Sequence, residues 1–238
     1  MSIGISTQEE LEETALRYGL LPFFPNNIKG FSVEEMTAPG MLFGGNEYEG
    51  CWEWKGPVVR KRTTAYGKFF RKKAGFVSRE LLPYFMKMRR ARFAMKPESV
   101  DEMIYDIISI NGSMTSTDLR SAILGKGKKR VAGDLPEIMT EEDFRPASRH
   151  SLEGPLQRLQ MASLVCISDF RYKQTKRGER YGWGVAEYST PEMLFDYVAL
   201  REETDGLTPE ECEEYILDYV CCRYPNATPD ALRHLLKF

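Results

Sequence analysis

The apolar positions of the chain recur at helical spacing in both of its halves. The stretches 7–18 and 78–93 each place apolar residues on one face and polar or basic residues on the other, which predicts amphipathic helices. The stretch 99–108 begins with a capping box, a Ser followed three residues later by a Glu, and continues with apolar residues at helical spacing. Thr-Pro pairs at 208–209 and 228–229 predict further helix starts.

Beyond residue 110 the pattern predicts two more helices and then a hairpin. A short helix begins at 116–117 and another near 148–151, with a long polar insertion at 126–147 between them. The segments 164–172 and 181–185 are rich in Val, Ile and aromatic residues, as strands are, and a basic turn separates them. Three helices followed by a hairpin with a basic tip is the element order of a winged-helix domain.

The first half reads as a loop-rich region followed by strands. Residues 39–56 contain five glycines, and 58–76 have the composition of paired strands. Trp52 and Trp54 stand two positions apart, so on a strand they would face the same side. We therefore expect the α+β class, with winged-helix (helix-turn-helix) modules and additional C-terminal helices.

Charge is sorted sharply along the chain. The net charge is −2, but residues 54–97 contain fourteen Lys or Arg and one acid, while 187–238 contain four bases and twelve acids. Such sorting gives a local field larger than the net charge implies, and phosphate backbones are its commonest target. Three domains are predicted: an N-terminal α/β region with a basic, aromatic-rich segment (1–97), a winged-helix domain (98–190) and acidic C-terminal helices (191–238).

The basic segment interleaves cations with aromatic rings. Cations can follow a phosphate backbone while rings stack on unpaired bases, which is the chemistry of nucleic-acid binding. The plainer interpretation is a core of rings coated by solvated cations, and both interpretations stay open here. The candidate nucleic-acid-binding residues of this segment are Trp52, Trp54, Lys55, Arg60, Lys61, Arg62, Lys68, Arg71, Lys72, Lys73, Arg89 and Arg90.

The predicted winged-helix domain supplies a second set of candidates. Cations at a hairpin tip meet phosphates, and Gln or Arg on a third helix can read adenine or guanine. An ordinary solvated surface is the alternative for both groups. The candidates are Gln157, Arg158 and Gln160 on the helix, and Lys173, Lys176, Arg177 and Arg180 at the hairpin.

One carboxylate stands between the tryptophans of the basic segment. A carboxylate beside stacked rings could help to cut a base–sugar bond, by positioning water and stabilising the cationic sugar. Glu53 is the candidate catalytic residue, with Glu34 and Glu35 as alternatives, and a surface carboxylate is the plainer interpretation of each. The spacing of a nucleotide-phosphate loop is missing at 125–130.

Composition bounds the remaining classes of protein. Five cysteines without a Cys-x-x-Cys pair, beside two histidines, favour neither a metal site nor a disulfide framework and fit a reducing cytoplasm. Apolar runs stay below the roughly 18 residues of a membrane span. We expect a cytoplasmic protein that needs no cofactor, has no membrane contact and takes duplex DNA as its partner, with its oligomeric state open.

Several short motifs resemble those of the AlkZ-related proteins, small bacterial proteins akin to the AlkZ/YcaQ winged-helix DNA glycosylases. The likeness extends from about residue 18 to 188, and its motifs lie at 51–56, 75–79, 83–90, 158–161, 167–170 and 181–186. The resemblance implies tandem winged helices and DNA-repair ancestry. The glycosylases use a Gln-x-Gln or Gln-x-Asp motif, which would fall near 21–24 here, where the residues are Leu-Pro-Phe-Phe.

Three functions are consistent with these observations. The first is DNA binding in a repair context, either as a divergent glycosylase or as a catalytically silent relative. The second is a transcription-type regulator, in which the 126–147 insertion and the acidic C-terminus make contacts with a second copy or with other proteins. The third is a protein-interaction module whose basic face meets an acidic partner.

Overall fold

The computed structural model describes residues 4–46, 49–123, 152–178 and 180–238, and it combines helices with an antiparallel sheet. This mixture confirms the α+β class. The insertion predicted at 126–147 and the helix start predicted at 148–151 lie outside the described residues. Within the described ranges, no helix is long and apolar enough to cross a membrane.

Local capping signals account for the start of several helices. The side chains of Thr7, Ser99 and Thr208 each accept a hydrogen bond from the backbone N–H three residues further on, as predicted for these caps. The helices are α1 (Gln8–Tyr18), α2 (Val33–Met36), α3 (Cys51–Arg60), α4 (Leu82–Ala91), α5 (Val100–Asn111), α6 (Ser116–Ile123), α7 (Glu153–Met161), α8 (Pro191–Leu194), α9 (Tyr197–Glu202), α10 (Pro209–Arg223) and α11 (Pro229–Leu235).

The strands of the described residues form one sheet in the order β1-β3-β2-β5-β6-β4. Every neighbouring pair is antiparallel, and the two hairpins β2–β3 and β5–β6 meet where Tyr66 of β2 lies opposite Ile167 of β5. The strands are β1 (Leu20–Pro22), β2 (Thr64–Phe70), β3 (Lys73–Ser78), β4 (Met114–Thr115), β5 (Cys166–Gln174) and β6 (Arg180–Ser189).

The two halves of the chain share one order of elements. The first runs α1, β1, α2, α3 and the hairpin β2–β3, and the second runs α5, β4, α6, α7 and the hairpin β5–β6. In each half the short first strand pairs with the last strand, as β1 with β3 and β4 with β6. The order of strands is therefore the same from either edge of the sheet: the first, third and second strand of each half. The amino-acid sequences of the two halves show no repeat.

Apolar clusters fix how the helices lie on the sheet. One cluster joins Phe69 of β2 and Phe85 of α4 to Ile216 of α10 and Leu232 of α11. A second lies around α1 and α3, and a third joins α5, α6 and α7. The acidic C-terminal helices are thus packed against the first half of the chain, where they bury its apolar residues.

The segment 51–60 differs from its prediction. Loop and strand were expected there, because Gly56 and Pro57 usually interrupt regular structure, but the segment is the helix α3 with Pro57 inside it. Its apolar residues, among them Trp54 and Val58, are buried on the second cluster, and this packing stabilises the helix against the missing backbone hydrogen bond of Pro57. Because helical residues two apart lie about 200° apart, Trp52 and Trp54 do not share a face.

Candidate nucleic-acid interface

Trp52 is the centre of an aromatic cluster where the start of α3 meets the β5–β6 hairpin. Ring centres of its neighbours lie 5.7 to 6.4 Å away. The ring cluster consists of Phe23, Phe24, Phe43, Trp52 and Trp183. Trp183 is 73% exposed and Phe43 is 58% exposed, so one side of the cluster offers flat rings to solvent, as a stacking surface requires.

Glu53 is held in place by β5. The Tyr172 hydroxyl donates a hydrogen bond to Glu53 Oε2 at 2.5 Å. Burial and this bond raise the pKa of Tyr172, so the hydroxyl stays protonated and the carboxylate acts as its acceptor. Gly184 of β6 makes room for the tyrosine ring, because a Cβ at that position would lie 2.8 Å from it. The central carbon of the Arg180 guanidinium lies over the Tyr172 ring, 4.5 Å from the ring centre.

Lys55 is part of this site but does not face solvent. Its Nζ lies 3.8 Å from the ring centre of Trp52 and 4.6 Å from that of Phe170, and it donates a hydrogen bond to the Trp52 carbonyl. Burial lowers the pKa of Lys55 to about 8, against the opposing charge of Glu53. In this structure the Lys55 cation lies against the Trp52 and Phe170 rings and is withdrawn from solvent, so its predicted contact with DNA is not available on this surface.

Trp54 and Gln160 are likewise withdrawn from the surface, being 9% and 1% exposed. Trp54 packs in the cluster between α1 and α3. The Gln160 amide accepts a hydrogen bond from the Lys68 backbone N–H at 3.0 Å and donates one to the Leu156 carbonyl at 2.9 Å. These contacts occupy the groups that would read a base, so Gln160 joins α7 to β2 instead.

Arg89 was expected on the basic outer face of its helix but is fully buried. Its Nη2 donates to the Phe69 carbonyl of β2 at 2.7 Å, and the guanidinium carbon lies 5.0 Å from the Phe85 ring centre. Burial lowers the pKa of the Arg89 guanidinium. The cation joins α4 to β2 and is excluded from contact with DNA.

Acids from distant segments neutralise much of the remaining basic segment. The ion pairs are Arg60 with Asp169 (2.8 Å), Lys61 with Glu12 (2.5 Å), Lys68 with Glu153 (3.3 Å), Arg90 with Glu192 (2.5 Å) and Arg92 with Glu213 (2.5 Å). Arg62 donates to the Ser168 carbonyl at 2.9 Å. The folded chain thus presents a weaker positive field here than the sequence suggests, and contact of these side chains with DNA stays a prediction.

The turn between β2 and β3, together with the first residue of β3, keeps its cations at the surface. Arg71, Lys72 and Lys73 are exposed, and we call these three residues the β2–β3 tip. Arg71 contacts the His234 ring of α11, and Lys73 donates to the Pro25 carbonyl at 2.9 Å. Neither of these partners is a carboxylate, so these two contacts leave the positive charge of the tip in place.

The end of the β5–β6 hairpin, from Lys173 near the end of β5 through the turn itself, is the other exposed basic site. Lys173, Lys176 and Arg177 project into solvent, and within the described residues none of them forms an ion pair. We call these three residues the β5–β6 tip. Because they carry unneutralised charge at the end of a hairpin, they are well placed to meet phosphates.

Arg158 of α7 forms an ion pair with Asp101 of α5. Its Nε and Nη2 donate to the two carboxylate oxygens of Asp101 at 2.7 and 2.6 Å, a bidentate geometry that raises the pKa of Arg158. The side chain of Asp101 is 12% exposed and that of Arg158 is 52% exposed. Of the three α7 candidates, Gln157 alone is both partly exposed and without a side-chain bond among the described residues.

We expect Arg158→Ala to destabilise the fold rather than to change DNA sequence preference. The substitution leaves the mostly buried Asp101 carboxylate without two charge-assisted bonds, at a cost of about 2 kcal/mol in free energy of unfolding. Urea denaturation measures this cost. In a double-mutant cycle, Arg158→Ala should cost less in a protein that already carries Asp101→Asn. Unchanged stability together with relaxed base preference would instead make Arg158 a base-reading residue.

Tyr172, Trp183 and Phe43 belong to the site but were not singled out in the sequence. Tyr172 is 119 positions from Glu53, so no local pattern joins them. The alternation of Trp183 with glycines on a predicted strand was the available signal, since a large ring between glycines has little to pack against on its own strand. Glu35, an alternative acid, instead accepts hydrogen bonds from Ser32 and Gly30 around the cap of α2.

Comparison with known proteins gives two findings. A model of the family described as AlkZ related matches residues 5–237. The DNA glycosylase AlkZ of Streptomyces sahachiroi is similar in structure, with a TM-score of 0.49 and 11% sequence identity over 94% of this chain. The match covers 57% of that glycosylase, so the chain spans just over half of its length. Among curated proteins, none matches the chain by sequence.

Proposed function

The chain belongs to the AlkZ-related family, and on this premise we propose that it is a DNA-binding protein of the DNA-repair type, built on winged-helix modules. The order α5, β4, α6, α7 and the hairpin β5–β6, with β4 paired to β6, supports a winged helix in the second half. The same order in the first half supports a second module. In both, the hairpin is the wing.

The observation that carries DNA binding is the exposed β5–β6 tip, whose cations form no ion pair in the part of the chain that the structure describes. Cations at the tip of a wing contact phosphates without reading sequence. The tip belongs to the same hairpin as Trp183, so phosphate contacts would place a duplex beside the exposed rings of the ring cluster. A protein that meets both phosphates and unstacked bases is suited to DNA in which pairing is disturbed.

The alternatives have less support. A regulator needs a third helix that presents several base-reading side chains, but in α7 Gln160 is buried and Arg158 is paired with Asp101. A protein-docking face would be favoured by buried tryptophans; Trp54 is buried, but Trp183 is largely exposed. The contacts of the α7 side chains argue against a regulator that reads bases, and the exposure of Trp183 argues against a protein-docking face. Contact with the DNA backbone is the function that remains best supported.

The test is titration of the protein against intact, abasic and alkylated duplexes at two salt concentrations. We expect binding that weakens steeply with salt, because counterions are released from the phosphates, and that is tighter for the damaged duplexes. Absence of binding at low salt would reject the proposal. Equal binding to all three duplexes would leave DNA binding standing and reject its repair character.

A second candidate, excision of a damaged base, is favoured by one specific contact. Tyr172 holds the Glu53 carboxylate next to the ring cluster, where it could stabilise a cationic sugar. On alkylated duplex, Glu53→Gln is expected to lower excision at least tenfold, with Glu13→Gln on the exposed face of α1 as the matched control. Lack of excision by the unmodified protein would identify it as a silent relative, in keeping with the Leu-Pro-Phe-Phe sequence at 21–24.

A further inference from the structure

We propose that one chain can hold two DNA duplexes at once, one at each end of its sheet. The inference rests on the proposed DNA binding and goes beyond it, because it assigns a second phosphate-contacting site to the β2–β3 tip. It follows from the directions of the two hairpins, from the backbone of the β2–β3 turn and from the charge at both tips.

The two hairpins point in opposite directions. β2 and β5 are antiparallel neighbours, with Tyr66 opposite Ile167. From that pair, β2 runs on toward Lys72 while β5 runs on the opposite way toward Lys176. At about 3.3 Å for each strand residue, the tips lie roughly 50 Å apart. Each tip is the end of a hairpin that leads away from the other.

The β2–β3 turn has an unusual composition for its shape. Phe70 pairs with Lys73, so Arg71 and Lys72 form a two-residue loop, and their φ angles are +46° and +69°. Hairpin loops with two positive φ angles favour Asn and Gly, because a Cβ is strained in this conformation. Arg71 and Lys72 therefore occupy positions where Asn and Gly would be more stable. Backbone strain of this kind is often found at functional positions.

Both tips have the same chemistry. Arg71, Lys72 and Lys73 are exposed at one end, and Lys173, Lys176 and Arg177 at the other. Among the described residues, the hydrogen-bond partners of the β2–β3 tip are the His234 ring of α11 and the Pro25 carbonyl, and neither is a carboxylate. Each tip therefore offers up to three phosphate contacts of the kind that make binding dependent on salt.

Opposite tips favour two duplexes over one. Short duplexes are stiff, because the persistence length of DNA is about 150 base pairs. A single duplex would have to bend around the sheet to reach cations that point away from each other, whereas two duplexes can each meet one tip directly. We therefore take bridging of two duplexes as the activity to test.

The experiment is capture of one duplex by another. A 30-base-pair duplex is fixed to beads, a fluorescent duplex of the same sequence is added in solution, and the full chain is titrated at low salt. We expect fluorescence on the beads to rise with protein and to fall again at excess, when each duplex is occupied by separate molecules. Binding of the protein to a single duplex is measured in parallel.

Two variants identify the tips. Arg71→Asn with Lys72→Gly should lower capture at least tenfold, while the midpoint of thermal unfolding stays the same or rises by about a few degrees. Lys173→Ala with Lys176→Ala and Arg177→Ala should also abolish capture. A protein that bridges as a dimer through the β5–β6 tip alone would keep full capture in the first variant, and that result would overturn the proposal.

The remaining outcomes separate this inference from the proposed function. Binding to a single duplex without capture would reject bridging and leave DNA binding intact. Absence of all binding would reject both. Capture that the two tip variants reduce independently, with both variants folded, would support two sites on one chain.

Discussion

We expect the binding of intact duplex to depend less steeply on salt when Lys173, Lys176 and Arg177 are all replaced by alanine. The slope of the logarithm of the binding constant against the logarithm of salt concentration should become less negative by about three. Each phosphate contact contributes about 0.9 to that slope, so the advantage of the unmodified protein over the variant should itself shrink about 40-fold between 50 and 200 mM salt. Fluorescence anisotropy with a labelled duplex over this range measures the effect. Its size follows from charges that no acid neutralises among the described residues.

The control changes net charge equally at other places. Arg17, Lys96 and Arg201 are exposed on α1, after α4 and on α9, and their joint replacement by alanine also removes three positive charges. Long-range attraction is screened beyond about 10 Å at 0.1 M salt, so this control should change the slope by less than one. If the two triple variants weaken binding alike, the effect comes from net charge and the β5–β6 tip has no special role.

The sequence predicted those parts of the fold whose signals are local. The cap of α5 needs only Ser99 and the N–H three residues later, and both strands of the β5–β6 hairpin follow from composition. The helix α3 was missed because the signal of Gly56 and Pro57 is local, while the burial of Trp54 and Val58 that overrides it comes from distant parts of the chain.

Charge was the least reliable guide to the site. Cations cluster in the basic segment of the sequence, but Arg60 and Lys61 find their acids at Asp169 and Glu12, far away along the chain. A count of charges along a segment cannot show this, since pairing is set by the sheet. The β5–β6 tip kept its predicted exposure because the end of a hairpin has few neighbours of either sign.

The ring cluster depends on tertiary contacts for the same reason. Trp52 was singled out for its place in a basic segment, and the structure brings Trp183 to it from β6. The helical spacing of Trp52 and Lys55, three residues apart, would have predicted that the lysine can reach the ring. That signal was hidden as long as the segment was taken for a strand.

Replacement of Lys55 by methionine is expected to stabilise the protein at pH 7. The pKa of Lys55 is about 8 in the folded chain, against 10.5 for an ordinary lysine, and a difference of this size corresponds to about 3 kcal/mol. The unfolded chain binds the proton more tightly, so the penalty is complete below pH 8 and disappears as the pH rises to 10.5. Methionine fills the space between Trp52 and Phe170 without a charge, and its sulfur packs well on aromatic rings.

The lowered pKa of Lys55 is tested best by the difference in free energy of unfolding between Lys55→Met and the unmodified protein. Cys166 and Tyr66, whose pKa values are raised by burial, are the same in both and cancel in the difference. The stability gain of Lys55→Met in urea should therefore be largest at pH 7 and approach zero between pH 8 and 10.5. Lys55→Arg is the opposite control, because arginine keeps its charge. Its free energy of unfolding should fall further below that of the unmodified protein between pH 8 and 10.5. A gain that does not change with pH would show that Lys55 is stably charged in its ring site, and that its cation–π contacts with Trp52 and Phe170 offset the cost of burial.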